Sequence, residues 1–355
     1  MSGTRPLTAD EFIRKTRLRY VLILLLVPLL VLISVYSLSV SLYSMDFHDV
    51  IDVLSNRYHG IAPVEYRDRI LDGLIFDSYL PRAIVAVMTG AILGMSGAVM
   101  QSSMRNPLAD PYTTGISSGA LFGVTIAVIL GISICSGKLG EIVNAFVFAL
   151  IPMTVIIVFS VNRRTTPTAM ILIGLGVMYM FSAATTLLKY SADPVHIEKI
   201  YEWGVGTLVG VGWDAVWVLL VSATFLSIAL MAMCGRVNVL STGDDMAVAL
   251  GVNPKRTRLQ ILTLVSVCTA SAVCFTGSIG FVGLVVPHVA RIIVGSNLKQ
   301  LIPASAVIGA LLLICSDCIA RVIGPSGLPV GVVTALIGSP LFLYFLIKRH
   351  SSAWS

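Results

Sequence analysis

Between Pro81 and Ala120 the chain reads PRAIVAVMTGAILGMSGAVMQSSMRNPLADPYTTGISSGA. Gly90, Gly94, Gly97 and Ala98 leave one face of a helix nearly bare of side chains. Lipid supplies no hydrophobic force pressing helix on helix. Helices in a membrane therefore associate through close packing, which small residues permit. That bare face confines the stretch to a tightly packed membrane bundle. The apolar run stops at a polar knot, Gln101 to Pro111, and resumes through Gly115, Gly119 and Ala120.

Composition agrees. Of the 355 residues 56% are hydrophobic and 12% charged, where a soluble domain carries about 25% charged residues. The net charge of +6 reflects lipid topology. No basic cluster is interleaved with aromatics, so nucleic acid is not an expected partner. Cys135, Cys234, Cys268, Cys274, Cys315 and Cys318 are scattered through apolar segments. The pair Cys315–Cys318 lies in LLLICSDCIA without a polar cage or a second pair, and reads as packing rather than as a metal site.

A helix needs about 20 apolar residues to cross the hydrocarbon. Candidate spans fall near 20–43, 81–103, 115–134, 141–161, 168–189, 214–234, 258–276, 280–295, 302–320 and 329–347. The expected fold is an all-α polytopic membrane protein of about ten transmembrane helices, forming a single permease domain over 1–355. The first run is too long for the apolar core of a cleaved leader and reads as a retained span. With residues 1–19 and both termini on the cytoplasmic side of the cell (inner) membrane, sixteen Lys and Arg fall inside and eight outside, as positive charge should. Residues 44–80 then form a polar outer loop and 235–257 a cytoplasmic connector. In the connector, Ser241 or Thr242 is placed to cap a short helix over 244–250, with Gly251 ending it and Pro254 beyond. A faint echo between Thr89-Gly90 and Thr276-Gly277 suggests that spans 2–5 and 7–10 are an inverted repeat.

No enzyme constellation is present. None of the five His pairs with another at metal-ligand spacing. Gly137-Lys138 is followed by Leu139, and no phosphate loop surrounds it. Asp317 is the only acidic residue well inside a span. It stands four residues before Arg321, the spacing of a structural pair. His288 beside Pro287 reads as a packed or backbone-bonded group. An ion-driven carrier would place carboxylates along its spans, so that alternative and an intramembrane enzyme are both disfavoured. The chain reads as a pathway whose energy source is elsewhere, with the 235–257 connector as the contact.

These residues carry a family resemblance. LPR with TGAILGMSGAVMQSSMRNPLADP, GDDMAVALGV, GSIGFVGLVVPHVAR and LPVGVVTALIGSPLFLYFLIKR resemble, in order, the signatures of the permease subunit of type II ABC importers. These importers take up iron–siderophore complexes, haem and cobalamin. The resemblance implies a homodimer with two ATP-binding cassette ATPases, which carry ATP and magnesium, and an extracytoplasmic substrate-binding protein. The permease itself then binds no cofactor or metal. It implies an ATPase-coupling role for Gly243, Asp244, Ala247, Ala249, Leu250 and Gly251, and a cytoplasmic gate at Thr165, Thr166 and Thr168, where Thr can also cap the helix at Pro167. It implies that Arg82 and Arg321 meet carboxylates of the binding protein. Tyr79 and Gly327 depart from the family's usual Arg and Glu, tuning that docking surface. Iron–siderophore is the expected cargo, with cobalamin or haem as alternatives.

Overall fold

The computed structural model describes residues 9–41, 45–63, 65–161, 166–324 and 327–349, and among these the regular structure is entirely helical. The first helices are α1 (Ala9–Ser37), α2 (Phe47–Tyr58) and α3 (Tyr66–Gly73), which runs through a π-turn (Leu74–Tyr79) into α4 (Leu80–Met104). A 3-10 turn (Pro111–Thr114) then leads to α5 (Ile116–Leu130), α6 (Gly137–Val161), α7 (Pro167–Tyr190) and α8 (Pro194–Val205). The remainder are α9 (Trp213–Ser241), α10 (Asp244–Ala249), α11 (Pro254–Thr276), α12 (Val282–Val294), α13 (Leu298–Val322) and α14 (Val330–Arg349).

Each expected span falls on an apolar helix. Eight are long and apolar enough to cross a membrane, while α5 and α12 are shorter. At 15 residues α5 rises about 22 Å, less than the roughly 30 Å of hydrocarbon. Gly131, at φ 66°, ends it. The chain is thus an all-α, multi-span membrane protein.

Two segments differ from the sequence reading. The polar stretch 44–80 was expected as a loop, but much of it is helix. Asp46 and Asp49 form a capping box at the start of α2. Arg57–Asp72 at 2.8 Å and Arg67–Asp49 at 3.0 Å then tie α2 to α3, so the charges pair among themselves. The second span therefore belongs to a continuous helical run from Tyr66 to Met104. Pro81 has no N–H to offer the preceding turn, and the π-turn just before it absorbs the mismatch. At the other end of the bundle, α9 continues to Ser241 and shortens the 235–257 connector. Val237 and Leu240 are buried there. The Asn238 side chain accepts from the Leu298 backbone N–H at 3.0 Å and donates to Asn297 at 3.2 Å, pinning α9 to the start of α13.

In the most apolar window of the Tyr66–Met104 run, 78% of residues are buried, against 6% for α1, so α4 is central and α1 peripheral. The bare face explains this. A Cβ added at Gly90 would overlap the carbonyl oxygen of Gly309, one at Gly94 that of Ser305, and one at Gly97 that of Gly283. α4 therefore touches α13 and α12 backbone to backbone. A second seam of the same kind joins Gly119 and Gly123 of α5 to the Phe148 and Asn144 main chain of α6. Gly97→Leu should force α4 and α12 apart. Overpacking costs about 1–3 kcal/mol where neighbours can shift, and more is expected against fixed main chain. Thermal unfolding in detergent should register a loss of several degrees or of the folded protein itself. Gly235→Ala, where the added Cβ meets open space, should be neutral; equal behaviour of the two variants would refute the close-packing account.

Candidate functional site

Paired charged side chains gather at the two ends of α4. At its N-terminal end Asp317 of α13, fully buried, receives both predicted arginines. Arg82 donates from Nε at 2.9 Å and from Nη2 at 2.7 Å. Arg321, one turn beyond Asp317, donates to it from Nε at 2.8 Å and also from Nη2. The Nη1 of Arg321 donates to the Ser37 carbonyl at 2.9 Å, which brings in the end of α1. Its guanidinium lies 5.1 Å from the centre of the Tyr79 ring, and the Tyr79 hydroxyl is 2.5 Å from Ser41 Oγ. The expected Asp317–Arg321 pair is therefore present. The sequence reading did not anticipate Arg82 on the same carboxylate. The arginine side chains differ in access, 13% exposed for Arg82 and 4% for Arg321. Arg321 is thus committed to the interior, and Arg82 stands at the rim.

The C-terminal end of α4 meets the connector. Arg258 of α11 is buried. It donates to the Ser103 carbonyl at 2.9 Å and, in a forked pair, to Asp244 at 2.7 and 2.6 Å. That fork fixes α10, whose N-cap is Gly243 at φ 133° and not Ser241 or Thr242. The helix spans Asp244–Ala249, ends at Leu250, and is followed by Gly251 at φ 77°. Of the predicted coupling residues, Ala247 is fully buried and faces the bundle, whereas Ala249, Leu250 and Gly251 are exposed. Met246 and Leu250, four residues apart, lie on one flank of α10 and Val248 on the other, and all three are exposed, at 55%, 61% and 63%. Arg258, which holds this helix, was not singled out from the sequence. Its signal was an Arg buried early in a span, 14 residues after an Asp.

The polar knot after α4 is a set of internal ties. Gln101 donates to the Leu284 carbonyl at 3.1 Å and accepts from Arg291 at 2.5 Å, joining α4 to α12. His288 is buried with a ring nitrogen 3.3 Å from the Pro107 carbonyl, the backbone-bonded state expected of it. At the start of α7, Thr166 accepts from the Ala169 N–H at 3.2 Å as the helix cap, and Thr168 is exposed; Thr165 lies outside the described residues. No group of three or more His, Cys, Asp or Glu that could hold a metal ion occurs among the described residues.

The sequence profile of the FecCD transport family matches residues 29–348, and the chain belongs to that family. It is a membrane permease subunit of a metal-chelate ABC importer, a non-catalytic transport component. The chain is 39% identical over 275 residues to the cobalamin import system permease protein of Halobacterium salinarum, covering 77% of this chain and 73% of that protein. It is 35% identical over 350 residues to the iron(3+)-hydroxamate import system permease protein of Bacillus subtilis, covering 97% and 88%. A solved structure described as a metal-chelate type ABC transporter in an inward-facing conformation superposes with TM-score 0.80 at 31% identity, covering 92% of this chain and 99% of that one.

The connector's anchorage predicts a pH dependence. The Arg258 guanidinium holds the Asp244 carboxyl below its usual range, partly opposed by burial. A carboxylate whose folded pKa lies below the unfolded value of about 3.9 contributes stability above that pH and loses it as pH falls through the folded value. A spin label at Val248→Cys, with the native cysteines removed, should therefore keep constant mobility from neutral pH to about 5 and loosen below 4. With Asp244→Asn it should be loose throughout. Equal mobility of the two proteins at neutral pH would show that the fork does not hold α10.

Proposed function

We propose that this permease works as a homodimer, with two ATP-binding cassette ATPases on the cytoplasmic side and a substrate-binding protein outside, to import iron–siderophore complexes. In this reading the chain is one transmembrane domain in the cell membrane with both termini cytoplasmic. It crosses ten times, α5 and α12 included, with spans 2–5 and 7–10 as an inverted repeat. The carrying observation is the exposed apolar surface of Met246, Val248 and Leu250 on the two flanks of a helix that is anchored to α4 and α11 through Asp244 and Arg258. Exposed apolar surface on an extramembrane connector has no lipid to cover it and fits a protein groove. Gly243 and Asp244 set the helix's angle, Ala247 packs it inward, and Ala249, Leu250 and Gly251 meet the ATPase with Met246 and Val248. The gate falls to Thr165, Thr166 and Thr168 at the cytoplasmic end of the path.

The iron-hydroxamate relative and the metal-chelate transporter structure support the cargo. The cobalamin permease at 39% identity makes cobalamin the second reading. In proteoliposomes holding the complex and its binding protein, ferric siderophore uptake should require ATP and be blocked by vanadate. Ala249→Trp should abolish uptake by displacing the ATPase or uncoupling it. Uptake of cobalamin alone would overturn the cargo, and normal uptake with Ala249→Trp would overturn the docking surface.

On the outer face, Arg82 at the rim is the cation offered to the binding protein, while Asp317, Arg321 and Tyr79 hold it in place. An exposed ion pair contributes about 0.2–1 kcal/mol and mainly steers the partner. Arg82→Gln, which removes the cation without setting a second carboxylate beside Asp317, should weaken binding-protein affinity several-fold at low salt and flatten its salt dependence. Arg321→Glu, which does set a second carboxylate beside buried Asp317, should instead impair folding. Unchanged affinity and salt slope in Arg82→Gln would confine Arg82 to the fold.

A further inference from the structure

α1 meets the bundle along one side only. Ile23 is buried there, and one turn before it Arg19 donates to Gln300 of α13 at 3.3 Å and lies beside Gly295 at the end of α12. The opposite flank carries Val21, Leu24, Leu25 and Leu32, all exposed, Leu24 at 74%. On a membrane span such a flank faces hydrocarbon. Followed back at helical spacing it continues into Arg17 and Arg14, four and seven residues before Val21. Both arginines are exposed, and neither has a hydrogen bond or ion pair with another described residue. They therefore point away from the bundle, on the side that lipid covers.

Tyr20 is exposed in the next turn and marks the headgroup level, where amphipathic aromatic rings settle. Arg17 lies about 4.5 Å beyond it along the helix and Arg14 about 9 Å. The headgroup layer adds about 5–8 Å to each side of the hydrocarbon, and long basic side chains bend toward it, so both guanidinium groups reach the phosphates. The acidic residues of this segment, Glu11 and Asp10, start about 14 and 15 Å beyond Tyr20, past that layer. Arg14, Lys15, Arg17 and Arg19 fall within six residues, and a basic cluster of this density next to a span attracts acidic lipid headgroups. A zwitterionic lipid brings its own cation to its phosphate, whereas an anionic one leaves the phosphate for an arginine fork. We propose that Arg14 and Arg17 bind the headgroup phosphate of an anionic phospholipid whose acyl chains lie along Val21, Leu24 and Leu25, so that lipid holds one flank of α1 as Arg19 holds the other. The proposal rests on the chain's spanning a membrane and is independent of its cargo.

The test uses the intact importer complex in phosphatidylcholine vesicles, with a fluorophore at Val21→Cys and the native cysteines removed. Quenching by spin-labelled phosphatidylglycerol is compared with quenching by spin-labelled phosphatidylcholine. With both arginines present, phosphatidylglycerol should be favoured roughly thirtyfold, the scale of two basic side chains at a charged surface, and the preference should shrink as salt rises. Arg14→Gln/Arg17→Gln should abolish the preference and leave phosphatidylcholine quenching unchanged, while Arg14→Lys/Arg17→Lys should retain most of it. Arg19→Gln, which removes a charge from the bundle-facing side, should keep it. Thermal stability and ATPase retention check that the variants are folded, and the salt series needs no variant of the arginines. An undiminished preference in the double Gln variant would overturn the site, as would a preference that is absent or insensitive to salt with both arginines in place. Displacement of the lipid by soluble glycerol phosphate at equal concentration would also overturn it, marking a site for free anions. Loss of the ATPase from the double Gln variant with quenching unchanged would assign the arginines to a protein contact instead. Failure of siderophore uptake with the lipid preference intact would count against the cargo reading and not against this site.

Discussion

Where Gly90, Gly94 and Gly97 lie against Gly309, Ser305 and Gly283, the main chains of α4, α13 and α12 are in direct contact, and no side chain intervenes to cushion them. In lipid, where apolar surface gains nothing by leaving the solvent, this closeness is what makes association favourable. It also sets the order of the layers. α4 is buried because three of its glycines admit neighbours on one side. α1, a leucine-rich helix with large exposed side chains, remains at the edge.

The polar groups of this bundle follow from that closeness. With the middle occupied by backbone contacts, charge is gathered at the ends of α4: Arg82, Asp317 and Arg321 at one, Arg258 and Asp244 at the other. Buried charge is costly unless paired and hydrogen-bonded. Each cluster meets that condition by drawing on a backbone carbonyl as well as a carboxylate, Ser37 for the first and Ser103 for the second. These clusters set positions: one presents Arg82 at the rim, and the other presents the exposed apolar side chains of α10.

Much of this architecture was legible in the sequence because apolar length and glycine spacing are local signals. All ten expected spans coincide with helices, and the pairing of Asp317 with Arg321 follows from a spacing of four. The inward turn of Ala247 and the extension of α9 to Ser241 were not legible, because both depend on what lies across the interface. The Arg258 fork joins residues 14 apart through a turn whose angle only the packed structure sets. Arg82 and Asp317 are 235 residues apart, and periodicity carries no information at that range. The helices within 44–80 were obscured for a different reason. Several of their polar side chains pair with one another, Arg57 with Asp72 and Arg67 with Asp49, so the segment reads as a solvated loop although these charges hold helices together.

Backbone seams of this kind also have a mechanical character. A carbonyl seated over a glycine on the facing helix is a notch, and sliding one helix past the other would drive the next Cβ into main chain. α4, α12 and α13 are therefore keyed like gear teeth and can shift only as a block. Relative movement in the bundle has to occur along surfaces without such keys. The exposed flank of α7 around Gly176, where an added Cβ would meet nothing within 4 Å, is one such surface.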